Sequence, residues 1–329
     1  MIYDDLVYGQ VEIKEPVLIE LINTAAVQRL KGVMQYGITA LIGVTHPITR
    51  FEHSVGVMLL TRQLGASLEE QIAALLHDVS HTAFSHVIDF VFGGNNRQSY
   101  HDEKKEEYIA STDIPACLAS HGYDWHDFLD EEAFSLLEQP SPALCADRLD
   151  YFLRGSIHLS LATPQDVHHV VGYLMVHDNR IGVADMAMAQ WLAYTFIAAD
   201  QASWANFREV GIYEITAQAI RRGFEIGLIK EADLWGTDKM LWDKLHSSQD
   251  QLLQEKLSLI SPTTRFIRDE NSPTFYSGTK LRSIDPDVFI DKKFCPLSTF
   301  DADFKKYRDH YLGSSQKDWP MRVFSIESA

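Results

Sequence analysis

The sequence predicts a mainly α-helical protein with a small β-hairpin and a short α+β part at its C-terminal end. Apolar residues recur at helical spacing through most of the first 260 residues. Two apolar runs flank the turn-forming sequence HDNR within 172–184, which is typical of a hairpin. From about residue 262, Pro, Ser and Thr become frequent and short strand-like patterns appear. We therefore expect a helical core over 1–260 and a small α+β extension, packed on that core, over 261–329.

Composition and charge restrict the class of protein. The chain has 329 residues, of which 46% are hydrophobic and 23% charged, as in folded globular proteins. A net charge of −17 argues against nucleic-acid partners, because binding to phosphate backbones relies on basic surface. The three cysteines form no C-x-x-C pair, which favours a reducing, cytoplasmic location. The N-terminal segment is unlike a signal peptide, and the longest apolar run, 187–199, is too short for a membrane span.

Helical elements dominate the first part of the chain. Asn23 and Thr24 indicate a break and a cap, and Ser67 followed by Glu70 predicts a capping box. In chain order the predicted elements are a short strand or extended arm (2–13), a helix in two pieces (18–37), a loop (43–50), a helix ending at Gly65 (51–65), a helix (68–81) with a continuation to a Gly-Gly stop (81–94), a loop (93–99) and a polar helix (101–111).

The second part is predicted to end in strands. Its expected elements are helices over 131–139 and, after Pro142, over 143–155, the hairpin (172–184), long helices over 185–228 with an interruption at Gly211 and over 238–259, and strands at 264–270, 279–285 and 321–327. The aromatic segment 191–207 is a candidate for burial in a homo-oligomer, although the sequence alone favours an internal core helix.

One set of polar residues indicates a metal site. His53, the adjacent pair His77 and Asp78, and Asp147 lie among helical apolar residues. Asp78 follows the apolar run AALL, and a carboxylate buried there needs a partner such as a metal ion. Nitrogen and oxygen ligands without thiolate favour Mn, Fe, Co, Ni or Mg over structural zinc. The alternative is that Asp147 pairs with a neighbouring Arg on a solvated face. An open metal site beside carboxylates is typical of phosphate-ester hydrolysis.

The chain resembles the HD-domain phosphohydrolases, and within them the deoxynucleoside triphosphate triphosphohydrolase-like branch. The matching segments occur in the same order and at the same separations as in the family. These segments are AAVQRLKGVMQYG (25–37), RFEHSVGV (50–57), ALLHDVSHTAFSH (74–86), YHDEKKEEYI (100–109), ADRLDYFLRG (146–155) and, more weakly, NFREVGIYEITAQAI (206–220). Three further His-Asp dipeptides begin at His101, His126 and His177, and only His77-Asp78 has the family context.

The resemblance implies an HD-type helical core and assigns roles by position. One divalent metal is expected, and a second is possible through His81, His86 or His101. The implied roles are metal ligands His53, His77, Asp78 and Asp147; catalytic residues His81, His101, Arg50 and Arg148, the two arginines also binding phosphate; and the sugar contacts Gln35 and Tyr151. His86 and Asp89 are expected either to orient these groups or to serve helix packing.

Two departures from the family pattern concern the sugar. Gly155 replaces an acid that holds the sugar 3′-hydroxyl in deoxynucleotide-specific relatives, and Tyr36 replaces an aliphatic residue. We therefore expect a metal-dependent phosphohydrolase for a small anionic nucleotide, most simply a (d)NTP triphosphohydrolase. The alternatives are a phosphomonoesterase or pyrophosphohydrolase on another nucleotide or phosphoester, a non-catalytic nucleotide-binding HD protein, and oxidative chemistry at a di-iron site. Relatives commonly form oligomers, and the resemblance extends that expectation to this chain.

Overall fold

The computed structural model describes residues 1–93, 99–314 and 318–324, and it confirms the mainly helical fold class. The first eight α-helices are α1 (Pro16–Ile22), α2 (Ala25–Arg29), α3 (Gly37–Leu41), α4 (Arg50–Gln63), α5 (Leu68–Leu76), α6 (Val87–Val91), α7 (Tyr100–Ala110) and α8 (Ile114–Ser120). The next eight are α9 (Ala146–His158), α10 (Pro164–Val171), α11 (Met186–Ala199), α12 (Phe207–Glu225), α13 (Glu231–Leu234), α14 (Asp238–His246), α15 (Gln251–Ser258) and α16 (Ala302–Gly313).

Within the described ranges, three small sheets accompany the helices. Their strands are β1 (Ile2–Asp5), β2 (Gly9–Glu12), β3 (Leu174–His177), β4 (Arg180–Val183), β5 (Arg265–Arg268), β6 (Phe275–Ser277), β7 (Asp287–Ile290), β8 (Lys293–Pro296) and β9 (Trp319–Phe324). The sheets have the strand orders β1-β2, β3-β4-β7-β8 and β5-β9-β6. In the second sheet β4 pairs with β7 in parallel, Val183 opposite Val288, so the hairpin and the C-terminal segment share one sheet.

Helix α4 lies at the centre of the main hydrophobic core. It packs against α5 and α9, and its buried residues lie on all sides of the helix. Thr49 begins α4 with a capping box: its side chain accepts the N–H of Glu52, whose carboxylate accepts the Thr49 N–H. A helix that is buried all round carries its polar residues away from water, so His53 in the first turns of α4 needs internal partners.

Several predicted boundaries are confirmed. The helical segment at 18–37 breaks at Asn23 and Thr24, and Thr24 caps α2. Its second piece is shorter than predicted, because α2 ends at Arg29 and only a 3₁₀ turn, Leu30–Gly32, follows. Gly65 follows α4 in the left-handed region with φ 83°, where glycine is favoured. Asp178 and Asn179 form the tight turn of the β3–β4 hairpin with φ 49° and 57°. The N-terminal alternation forms the β1–β2 hairpin, with Ile2 opposite Glu12.

The helix predicted over 68–81 and its continuation over 81–94 are both too long. Helix α5 ends at Leu76, and α6 is a single short helix. Phe84 and Ser85 have φ values of 62° and 50°, which a continuous right-handed helix excludes. The predicted capping box is also incomplete, because the Glu70 carboxylate accepts the backbone N–H groups of Leu136 and Leu137 instead of capping α5.

The helix predicted over 131–139 is also wrong, because Leu136 and Leu137 donate their N–H groups to the Glu70 carboxylate. The segment contains a 3₁₀ turn, Glu131–Ala133, followed by loop whose N–H groups bind Glu70. Helix α9 begins at Ala146 rather than at 143, since Leu144 forms a β-bridge with Ile181. The helix predicted over 238–259 is divided into α14 and α15.

The interruption predicted at Gly211 lies elsewhere. A π-helical turn, Asp200–Trp204, separates α11 from α12, and Gly211 lies inside α12. A Cβ at 211 would approach the ring of Phe266 to 2.7 Å and the methyl of Met321 to 2.8 Å, so Gly211 permits close packing of the C-terminal sheet. The segment 279–285 is not a strand, because its backbone is committed to contacts outside any sheet.

Some expectations fall on parts of the chain that the structure does not describe. The predicted loop at 93–99 includes 94–98, and the predicted strand at 321–327 extends past Phe324; both stretches lie outside the described residues, whereas 321–324 is strand. Among the described helices, none combines the length and the apolar character that crossing a bilayer requires.

We predict that Gly211→Ala destabilises the protein by about 1–3 kcal/mol, because the added methyl overpacks against Phe266. This outcome opposes helix propensity, which favours Ala by about 1 kcal/mol. Urea unfolding measures the effect. Gly313→Ala, at the last residue of α16 with open space around it, is the control and is expected to leave stability unchanged or to raise it by up to about 1 kcal/mol. Equal stability of the two variants would contradict the close approach.

Candidate metal centre and cavity

Four side chains from three helices meet at one point. His53 comes from α4, His77 and Asp78 directly follow the last residue of α5, and Asp147 lies in the first turn of α9. His53 Nε2 lies 2.9 Å from Asp147 Oδ1, 3.2 Å from His77 Nε2 and 3.5 Å from Asp78 Oδ2. We call these four residues the donor cluster. They are the residues that sequence reasoning selected as metal ligands.

A hydrogen bond at Nδ1 fixes the ring of each histidine in the donor cluster. His77 Nδ1 lies 2.7 Å from the carbonyl oxygen of Ala74, so Nδ1 donates and Nε2 directs its lone pair into the cluster. His53 Nδ1 lies 2.8 Å from Asp150 Oδ2, which fixes this ring in the same way. A carboxylate or carbonyl behind each imidazole is the usual support of a metal-binding histidine.

A buried chain of charges supports His53. Asp150 accepts hydrogen bonds from Arg154 at 2.9 and 3.1 Å, and Arg154 Nη2 also lies 3.0 Å from Asp5 Oδ2. Each of these side chains is almost completely buried. Sequence reasoning did not select Asp150 or Asp5; the spacing of Asp147 and Asp150 on one helix was the available signal for Asp150, whereas Asp5 had none.

The electrostatics of the donor cluster favour positive charge. Burial alone lowers the pKa of His53, but Asp147 and Asp150 outweigh it and raise that pKa. For His77, burial is likewise outweighed by Asp78 and Asp147, and the pKa is raised to about 10. The carboxylates therefore create a negative potential at the imidazole Nε2 atoms, and the donor set of nitrogen and oxygen fits a divalent cation there.

Arg50 and two further histidines adjoin Asp78. Arg50 Nη1 lies 2.5 Å from Asp78 Oδ2, and its Nε donates to Ser85 Oγ at 3.1 Å. His81 Nε2 lies 3.2 Å from Asp78 Oδ1, and its ring stacks on His101 at 3.8 Å. Burial lowers the pKa of both His81 and His101, and Arg50 adds to the effect on His81. Arg50, Asp78, His81 and His101 line the same cavity.

His86 extends this histidine group. Its ring contacts the His81 ring edge-on at 5.0 Å, and its Nδ1 lies 3.0 Å from Asp89 Oδ2. Asp89 Oδ1 also accepts the N–H of Tyr100 at 3.1 Å, so it joins α6 to the start of α7. His86 and Asp89 therefore serve both the orientation of the group and the packing of its helices.

Asp78 and Asp147 of the donor cluster line a cavity of about 310 Å³, within the size range of small-molecule sites. Gln35 and Tyr151 lie in its wall, and the buried Gln35 Oε1 has no hydrogen-bond partner among the described residues. Arg148 also lines the cavity, but its guanidinium donates to the carbonyls of Gln139 and Ala143 and pairs with Glu138. Arg148 therefore anchors the loop before α9 as well as presenting charge to the cavity.

Tyr36 and Gly155, the two departures from the family pattern, are in contact. A Cβ at position 155 would lie 2.5 Å from the Tyr36 hydroxyl oxygen, so that hydroxyl occupies the space of a side chain at 155. The Trp204 ring adjoins the same position, with its Cζ2 atom 3.9 Å from that Cβ. Trp204 in turn meets Tyr151 edge-on at 4.9 Å. The tyrosine and the glycine are thus complementary parts of one wall.

Sequence reasoning missed several residues of the cavity wall. Trp204 comes from the π-helical turn, and Lys280 and Arg282 come from the segment that was predicted to be a strand. The resemblance to the family includes the basic tail residues Lys280 and Arg282, but it assigned them no role. Neither helical periodicity nor a local motif placed Trp204 in the cavity.

A smaller cavity of about 60 Å³ adjoins the first and shares Gln35, His86, Trp204 and Arg282 with it. Glu209 lines this second cavity and is 8% exposed. Its Oε2 accepts hydrogen bonds from Thr39 and Ser203, both at 3.2 Å. Burial raises the pKa of Glu209 to about 7, which the two hydroxyl groups only partly oppose.

Comparison with known proteins identifies an HD domain and a metal-dependent phosphohydrolase among the relatives. Residues 50–155 match the family model of the HD domain. The chain is 36% identical over 317 residues to the metal-dependent phosphohydrolase cns2 of Cordyceps militaris, with 94% of this chain and 91% of that protein aligned. It is 38% identical over 295 residues to the uncharacterized protein YdhJ of Bacillus subtilis, with 89% of this chain and 90% of that protein aligned.

More distant relatives match parts of the chain or its fold. Deoxynucleoside triphosphate triphosphohydrolase SAMHD1 of Gallus gallus is 26% identical over 227 residues, which cover 53% of this chain and 36% of that protein. The crystal structure of a phosphohydrolase from Bacteroides thetaiotaomicron superposes with a TM-score of 0.69 at 16% identity and covers 98% of both chains. At that identity the likeness concerns the fold.

We predict strong coupling between Tyr36 and Gly155. Gly155→Ala alone is expected to lower the free energy of unfolding by about 1–3 kcal/mol, because its methyl meets the Tyr36 hydroxyl. In Tyr36→Phe the nearest ring carbon lies 3.8 Å from that methyl, so the double variant should lose less than the sum of the single variants. Urea unfolding of the four proteins measures the coupling, and strict additivity would contradict the contact.

We predict that Glu209 makes stability fall as pH rises. Because the folded-state pKa is above the unfolded value, the folded protein binds more protons, and stability decreases from about pH 5 to pH 8. Glu209→Gln should remove the contribution of Glu209 to this pH dependence. The free energy of unfolding of the variant, relative to that of the parent, should therefore rise by up to about 3 kcal/mol from pH 5 to pH 8. Chemical unfolding at each pH measures the difference. The exposed Glu106→Gln is the control, and parallel profiles for both variants would refute the role of Glu209.

Proposed function

The chain belongs to the HD-domain superfamily of metal-dependent phosphohydrolases, and from that premise we propose that it hydrolyses phosphate bonds of a nucleotide, most simply as a (d)NTP triphosphohydrolase. The observation that carries the proposal is the donor cluster at one end of a cavity whose wall also contains cationic and aromatic side chains. Phosphate chemistry needs the donor cluster and the cationic side chains. The aromatic side chains suit contact with a base or sugar.

We assign His53, His77, Asp78 and Asp147 as the ligands of one divalent ion, with Mn, Fe, Co, Ni and Mg as the candidates. When bound, the ion would activate water and neutralise phosphate charge. A second group of possible donors, Asp78, His81 and His101, has ligand atoms within 4.8 Å of one another and is our candidate for a second ion.

Other residues of the cavity would bind phosphate, position water and transfer a proton. Arg50 holds Asp78 in place and presents its guanidinium to the cavity, where it would bind phosphate oxygens. His81 bonds Asp78 and is held by the stacked ring of His101, so this pair is suited to position a water molecule or to exchange a proton with the leaving oxygen. Arg148 would add charge stabilisation from the other side of Asp147.

The nucleoside part would occupy the wall formed by Gln35, Tyr151 and Trp204. The unpartnered Gln35 Oε1 can accept a hydrogen bond from a hydroxyl or amino group. Likeness to SAMHD1 supports a nucleoside triphosphate. A second candidate function is hydrolysis of a phosphomonoester or pyrophosphate bond, which is favoured by the Tyr36 hydroxyl in the space of a side chain at 155, since the sugar cannot be held from that position.

We predict metal-dependent hydrolysis when the purified protein is supplied with Mn, Co, Ni or Mg and screened against nucleoside mono-, di- and triphosphates. His77→Ala with Asp78→Ala should lower kcat by at least about a thousandfold, because the ion loses half its ligands. Tripolyphosphate as the product identifies a triphosphohydrolase, and orthophosphate or pyrophosphate identifies the second candidate.

The chain provides a matched control for this experiment. His126 and Asp127 form another, exposed His-Asp dipeptide, so His126→Ala with Asp127→Ala repeats the chemical change outside the cavity. Its activity should equal that of the parent. Circular dichroism checks that both variants are folded. Unchanged activity in the His77/Asp78 variant, or activity that survives complete chelation of metal, would refute the proposal.

A further inference from the structure

Three side chains with metal-binding atoms meet where α1 packs against α8. Glu20 lies on α1, Cys117 lies on α8, and His121 is the residue at which α8 ends. The carboxylate, the thiol and the imidazole each offer one ligand atom, and these atoms all lie within 4.8 Å of one another. We call these three residues the α1–α8 cluster. None of them is among the described residues that line the cavity.

The local sequence and the helix end fix the geometry of the cluster. Cys117 and His121 are four residues apart, which places both side chains on one face of a helix. Gly122 follows with φ 83° and ends α8, as its N–H donates to the carbonyl of Ala119. The third ligand comes from the neighbouring helix, because Glu20 Oε2 lies 2.8 Å from His121 Nε2. Two ligands from one helix and one from another form a chelating arrangement.

Cys117 is the buried member of the cluster. Its side chain is 6% exposed, and its Sγ makes no hydrogen bond within the described part of the chain. Burial, Glu20 and Asp113 together raise the pKa of this thiol to about 11. The two carboxylates thus create a negative potential at a sulfur atom that has no partner, and a cation beside it would be stabilised.

We propose that the α1–α8 cluster binds one zinc ion through Cys117 Sγ, His121 Nε2 and a carboxylate oxygen of Glu20, with water as the fourth ligand. Sulfur, nitrogen and oxygen donors together suit zinc, whereas the donor cluster has no thiolate and suits harder ions. The ion replaces the thiol proton, which is released to water, so the sulfur binds as thiolate. The bound ion would join α1 to α8 and would act independently of the reaction at the donor cluster.

The spacing of the three donors is compatible with zinc. At Zn–S distances of about 2.3 Å and Zn–N or Zn–O distances of about 2.0–2.2 Å, tetrahedral ligand atoms lie roughly 3.5 Å apart. The nitrogen and oxygen of the cluster are closer than this, at 2.8 Å, and no pair is further apart than 4.8 Å. The Glu20 side chain is 55% exposed, so its carboxylate has room for the small shift that an ion requires.

The test uses cobalt as a spectroscopic substitute for zinc in the reduced, full-length protein. A thiolate ligand gives cobalt an intense near-ultraviolet charge-transfer band that nitrogen and oxygen ligands do not produce. The parent should show this band, and added zinc should abolish it by displacement. Cys117→Ser should show no band. Cys295→Ser, at a half-buried cysteine on β8 outside the cluster, is the control and should retain the band.

Two further variants separate this site from the donor cluster and from effects of a buried substitution. His77→Ala with Asp78→Ala should retain the cobalt band, whatever its effect on hydrolysis. In that background His121→Ala, at a half-exposed position, should weaken zinc binding by at least about a hundredfold, since loss of a mere supporting group already costs up to that much. Competition with a chelator of known affinity measures the change.

Three outcomes would overturn the proposal. These are a parent without the thiolate band, a band of parental intensity in Cys117→Ser, and equal zinc affinity with and without His121 in the His77/Asp78 background. None of them bears on phosphate hydrolysis, so failure of the zinc site and failure of the proposed function are distinguished.

Discussion

The donor cluster depends on compensation of buried charge. Asp78 and Asp150 are carboxylates almost wholly removed from water, which is costly unless each is paired and hydrogen-bonded. Arg50 compensates Asp78, and Arg154 compensates Asp150, which in turn orients His53. Removing one partner would leave a buried charge, so the centre is stable only as a complete set. The β1–β2 hairpin belongs to this set, because Asp5 supplies the second carboxylate on Arg154.

Sequence reasoning predicted what local patterns determine. Caps, turn residues and helical periodicity indicated α2, α4 and the β3–β4 hairpin, and the order of family motifs selected the residues that meet in the donor cluster. The predicted helix after His77 was too long, because helix propensity gives no indication of the left-handed backbone at Phe84 and Ser85. It also misplaced the break at Gly211, where a glycine permits close packing rather than ending a helix. Tertiary contacts decided both cases.

The cavity wall was the part least accessible to prediction. Its cationic and aromatic residues come from an extended segment and a π-helical turn, neither of which has a period that sequence patterns can reveal. The parallel pairing of β4 with β7 and the contacts of Asp285 and Arg282 bring the C-terminal segment to the cavity. The motif-bearing helices therefore build the donor cluster, whereas the π-helical turn and the C-terminal segment contribute much of the cavity wall.

The contact between Tyr36 and Gly155 also constrains how this protein can evolve. Any side chain at 155 collides with the tyrosine hydroxyl, whereas loss of that hydroxyl is sterically tolerated while 155 is still glycine. Substitutions at the two positions are therefore accessible in one order and obstructed in the other. A lineage that acquires a side chain at 155 should first change residue 36, so the two positions should vary together among descendants.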